Sequence, residues 1–190
     1  MSSLSNVRCV AAVFDGGLRS LLREVLSSNK LHNVEFLANS DAVKNFLSVG
    51  SACDLIIAQN DLPTGGVLEV ARFVRWKMQP QSYIIPIISI GQVWTGELLR
   101  QTRDAGVNEV IAMPTSLMAV HAKLVSALGS KRPFISADAY RGPCRRSRSS
   151  KGHQGPFRRA EDRVAEQLSD ASAKADRPTV RINANVAPTP

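Results

Sequence analysis

The sequence predicts an α/β fold, a five-stranded parallel sheet covered by helices on both faces, followed by a basic extension. Two observations predict the sheet: five apolar clusters of strand length, and between them segments whose apolar residues recur at helical period. A third sets its limit. After Gly129 the alternation stops, and the composition shifts to Arg, Ser, Gly and Pro.

The first strand is expected over residues 8–14, where Cys9 to Phe14 is the longest apolar run near the N-terminus. Asp15-Gly16-Gly17 follows as a turn, with Asp15 placed to cap the next helix. Leu18, Leu21, Leu22, Val25 and Leu26 keep the i, i+3, i+4, i+7, i+8 spacing of one helix face. Strand candidates at 33–37, 54–59, 84–90 and 107–112 then alternate with weaker helical patterns at 40–49, 66–77, 94–105 and 115–128. Gly16-Gly17 and Gly65-Gly66 lack the spacing of a dinucleotide or Walker loop and read as turns. Five such units fit a flavodoxin-like doubly wound sheet of strand order 2-1-3-4-5, in which a site lies at the carboxyl ends of the first and third strands.

Charge divides the chain at the same place. Residues 1–129 carry eleven basic and ten acidic side chains and residues 130–190 carry thirteen and six, so the extension holds nearly all of the net +8. We therefore expect one domain over 1–129 and an extension over 130–190. Cys9, Cys53 and Cys144 are odd in number and irregular in spacing, which argues for a reducing compartment and a cytoplasmic protein. The N-terminus shows neither a charged leader nor an apolar segment long enough to span a membrane. His32, His121 and His153 have no metal-ligand spacing, so no metal is expected.

Several motifs fall in order: Asp54-Leu55-Ile56-Ile57, Leu62-Pro63 with Gly66, Pro86-Ile87-Ile88, Asp104-Ala105-Gly106-Val107-Asn108-Glu109 and Met113-Pro114. Together they resemble the CheY-like receiver domain of response regulators over roughly residues 7–128. The resemblance implies an aspartate that takes a phosphoryl group, carboxylates that hold Mg²⁺, a hydroxyl and a lysine. None of these is present at the matching positions. Val13 and Phe14 stand at the acid pair, Gln59 at the acceptor, Gly91 at the hydroxyl, Met113 at the lysine and Val110 at the aromatic switch. A neutral amide cannot form an acyl phosphate, so the expectation is a pseudo-receiver with no catalytic residues and no bound Mg²⁺. Asp15 and Asp61 lie one and two residues beyond the acid-pair and acceptor positions and are the alternative carboxylates. Receivers commonly have a cis bond at the Lys-Pro step, which implies a cis Met113-Pro114 bond here.

The extension from Lys131-Arg132-Pro133-Phe134-Ile135 onward is similar to one carried by some alphaproteobacterial CheY-like proteins. Arg141 to Arg159 contains seven Lys or Arg and no acid, and Gly142-Pro143-Cys144-Arg145-Arg146 returns as Gly155-Pro156-Phe157-Arg158-Arg159. Residues 158–174 have the apolar spacing of a short helix, marginal on its own, and the Pro-containing end reads as disordered. The resemblance implies cyclic di-GMP as a candidate ligand, with Tyr140, Arg141, Arg145, Arg146, Arg158 and Arg159 as its binding set. Guanidinium groups pair bidentately with guanine, hold phosphates and stack on bases. These arginines are expected to lie outside the core. Weak, salt-sensitive nucleic-acid binding is the alternative for so basic a tail. The reading as a whole is a receiver-like bacterial signalling adaptor, not an enzyme, that acts through another signalling protein.

Overall fold

In the computed structural model, residues 4–79, 82–129 and 132–145 are described. After a short 3-10 helix (Leu4–Asn6), strands and helices alternate: β1 (Cys9–Ala12), α1 (Gly16–Ser28), β2 (Val34–Leu37), α2 (Ser40–Ser48), β3 (Leu55–Gln59), α3 (Gly66–Lys77), β4 (Ile87–Gly91), α4 (Gly96–Asp104), β5 (Glu109–Ala112) and α5 (Leu117–Leu128). The five strands are parallel in the order β2-β1-β3-β4-β5. Each expected strand and helix is present within a few residues of its expected bounds.

The two-residue period of the strands divides the core. Cys9, Ala11, Val13, Leu55, Ile57, Ile88 and Ile90 face one side, with Leu18, Leu22 and Leu26 of α1 and Val120 and Leu124 of α5. Val10, Ala12, Ile56, Ala58 and Ile87 face the other, under α2 and α3. Β-face burial on both sides is what makes the strands read as continuous apolar runs. Leu21, by contrast, is 42% exposed, so the apolar stripe of α1 is broader than its buried face. Side-chain caps set the helix starts: Asp15 accepts from Leu18 N at 2.6 Å, as expected, and Asn39, Thr95 and Ser116 do the same for α2, α4 and α5.

Packed structure continues past Gly129. β6 (Phe134–Ala137) and β7 (Tyr140–Pro143) form an antiparallel hairpin. It lies against the loops that lead into β4 and β5: a Cβ on Gly106 would stand 2.2 Å from Arg141 O, and Gly106 itself has φ +87°, so both the turn and the hairpin's approach require glycine there. Arg145, expected outside the core, donates to Arg103 O and to Val107 O. The expected break in packing at residue 130 is thus corrected. Four-residue strands held by arginines and rings leave no apolar periodicity in the sequence to announce them. The candidate helix at 158–174 and the Pro-containing end lie outside the described residues.

Arg75 of α3 joins the hairpin to the body. It is fully buried, and its guanidinium donates to Gly106 O at 3.1 and 2.9 Å, Ile85 O at 2.8 Å, Asn108 Oδ1 at 2.9 Å and Tyr83 O. The Phe134 ring covers it at 5.2 Å. Burial pulls its pKa down to about 9, which still leaves it charged at neutral pH. Substitution Arg75→Met should lower the unfolding free energy by about 3–5 kcal/mol, because several buried acceptors lose their donors at once. Urea denaturation measures it, and a loss below about 1 kcal/mol would contradict this role.

Candidate functional site

The carboxyl ends of β1 and β3 meet where a doubly wound sheet positions its site. Gln59 ends β3 and is only 6% exposed. Its Oε1 accepts from Phe14 N at 3.0 Å and Asp15 N at 3.2 Å, while its Nε2 donates to Asp61 Oδ1 at 2.8 Å. One amide therefore ties the β1–α1 loop to the β3–α3 loop. The position needs an acceptor on one side and a donor on the other, which a carboxylate does not supply.

The other receiver positions have been filled rather than left open. Val13 is fully buried and Met113 nearly so, and both belong to the apolar cluster under α1 and α5. Phe14 points outward at 64% exposure. A Cβ on Gly91 would lie 2.3–2.5 Å from the side-chain amide of Asn60, which donates to Val93 O at 2.8 Å. The space a hydroxyl side chain would take thus belongs to Asn60. Val110 is half-buried on β5. The Met113-Pro114 bond is cis, the isomer that the resemblance implies.

What remains is a cleft of about 350 Å³ with polar walls of Asp15, Gln59, Asn60, Asp61 and Gln92 and an apolar side of Val93 and Leu98. These residues do not fit the Mg²⁺ of a receiver. Asp15 commits one oxygen to its helix cap and Asp61 one to Gln59, and Val13 and Phe14 offer no ligand. Among the described residues no group of three or more His, Cys, Asp or Glu side chains is placed to hold a metal ion.

Of the candidate ligand residues of the extension, Tyr140, Arg141 and Arg145 are described, and they lie at the opposite end of the sheet. Arg141 lies over the Trp76 ring at 4.5 Å and within 5.9 Å of the Tyr83 ring. Arg145 lies 5.8 Å from the Tyr140 ring, whose hydroxyl donates to Pro143 O at 2.8 Å. Arg146, Arg158 and Arg159 lie outside the described residues. Tyr140, Arg141 and Arg145 are brought together, but around the body's own rings and carbonyls. Sequence reasoning missed Arg75, Trp76 and Asn60. For Arg75 a signal exists: it follows Ala71 by four residues on the face that buries Val67, Val70 and Val74.

No protein-family model and no curated protein matches the chain. Solved structures do. Chemotaxis protein CheY4 of Vibrio cholerae superimposes with a TM-score of 0.57 at 17% identity, covering 64% of this chain and 98% of its own. The fold is that of a response-regulator receiver domain. The receiver domain of a signal transduction histidine kinase from Syntrophus aciditrophicus gives a TM-score of 0.57 at 19% identity, over 70% of this chain and 99% of that one. The phosphorylated cyanobacterial phytochrome response regulator RcpA gives 0.55 at 17%, over 65% and 94%. At these identities the likeness is one of receiver fold. Among the described residues, no helix is long and apolar enough to cross a membrane.

The Asn60 and Gly91 interlock has a measurable consequence. Gly91→Thr should cost about 2 kcal/mol in this receiver fold through overlap with the amide. The double variant Gly91→Thr, Asn60→Ala should recover most of that loss, a non-additivity that thermal denaturation resolves. Additive losses would show that the two side chains do not compete for one space.

Proposed function

We propose that this protein is a non-phosphorylatable receiver-like signalling adaptor of a bacterial two-component-type pathway, cytoplasmic, not an enzyme, and acting through contacts with another signalling protein. The observation that carries this reading is the Gln59 amide, hydrogen-bonded at all three of its contacts in the place where a receiver keeps its phosphoryl acceptor. An amide oxygen engaged with two N–H groups is not a nucleophile at neutral pH. The cleft beside it retains its walls, and exposed Phe14 and Val93 border this end of the sheet. Exposed apolar side chains beside a polar cleft suit recognition of a protein partner.

The test is chemical. After incubation with acetyl phosphate and Mg²⁺, intact mass spectrometry should show the unmodified chain. A hydroxylamine-sensitive phosphoryl adduct would mean that Asp15 or Asp61 has taken over the acceptor role, and the reading would fail.

A second reading has its own observation. The stacked pairs of Arg141 on Trp76 and Arg145 beside Tyr140 place planar cations and aromatic faces at the start of the basic run, a chemistry that suits cyclic di-GMP. Replacing Arg141, Arg146, Arg158 and Arg159 with Lys keeps charge and removes the planar fork. Loss of cyclic di-GMP binding in a filter assay would support dinucleotide recognition. Binding that survives and falls steeply with salt would mark the nucleic-acid alternative, a generic polycation.

A further inference from the structure

Helix α4 has less core beneath it than its neighbours. Of its residues only Thr102 is buried, and none of its side chains belongs to either apolar cluster. The Thr102 hydroxyl, and that of Ser89 on β4, are buried without a hydrogen-bond partner in the described structure. Such an interface is poor in the contacts that fix a helix on a sheet.

The helix is instead held at its ends. At the N-terminal end, Thr95 Oγ1 accepts from Leu98 N at 3.1 Å, Asn60 fastens Val93 O, and Trp94 Nε1 donates to Gly91 O at 3.1 Å. At the C-terminal end two guanidinium groups meet backbone carbonyls, of which Arg103 O also accepts from Gly106 N at 3.0 Å. Arg145 of the extension reaches Arg103 O and, at 2.8 Å, Val107 O, and Arg75 takes Gly106 O. Cations at this end are favoured by the helix dipole. Between the ends, Glu97 bonds Arg100 at 2.6 Å and Gln101 at 2.8 Å, which stiffens the rod.

We infer that Arg145 is a latch on α4, through which the basic extension controls the cleft at the far end of the sheet. α4 is only about 13 Å long, and its first turn supplies Leu98 to the cleft wall, directly after Gln92 and Val93 of the preceding loop. A stiff helix with few core contacts moves as a unit once one end is released. Arg145 also stands within the basic run of Arg141 to Arg159, so an event that draws that run away pulls on this contact.

Hydrogen exchange on the full chain tests the inference. In Arg145→Ala, amides of α4 and of residues 92–95 should exchange about tenfold faster or more, with those of β1, β3 and α5 unchanged. Arg145→Lys, which keeps the charge but reaches fewer carbonyls, should fall between. The inference is overturned if Arg145→Ala speeds exchange only within 132–145, or if it speeds exchange uniformly across the domain.

Discussion

A buried arginine whose partners include no carboxylate organises one end of this molecule. Arg75 keeps its charge inside the protein by giving its donors to carbonyls of the loops before β4 and β5 and to one asparagine. Those carbonyls are the groups that strand entry leaves unpaired, so the cation and the loops satisfy one another. Phe134 closes the exposed side of the guanidinium, and Tyr83 packs on Phe134 at 5.1 Å between centroids. The extension therefore adds to the receiver fold at the point where a buried charge most needs shielding from water.

The other end of the sheet solves a different problem with a neutral group. A receiver balances clustered carboxylates with a metal ion and a lysine; here one amide joins two loops and no balance of charge is required. Because Gln59 presents an acceptor to backbone N–H groups and a donor to Asp61, it keeps the loops in place without the ion. The amide that stands in the acceptor's place is thus also the group that holds the two loops together.

Strand and helix order was legible because the central strands β1, β3 and β4 are buried on both faces and α1, α3 and α5 show an apolar stripe. Gln59 and Gly91 end β3 and β4 and Met113 directly follows β5, places that were legible from their distances to well-marked strands. Their surroundings were not. Nothing in the sequence places Asn60 over Gly91, because that contact joins two loops 31 residues apart. The hairpin was hidden for a compositional reason: Arg141, Gly142, Pro143 and Arg145 read as a solvated basic run, yet Gly142, Pro143 and Cys144 are buried and the arginines flanking them pack on rings and carbonyls. Arginine was taken as a sign of solvent, and here it does the work of packing.

The burial of Val13 and Met113 in one apolar cluster bears on how reversible this history is. An acid returned alone at position 13, or a lysine alone at 113, would enter a space now shaped for hydrocarbon and would have to be charged and unpaired, or displaced toward water at the expense of the surrounding packing. Neither change confers phosphoryl chemistry without the other and without a new acceptor. Hydrocarbon at these two positions therefore makes the floor beneath the cleft a part of the core, and a change of charge there is a change of packing.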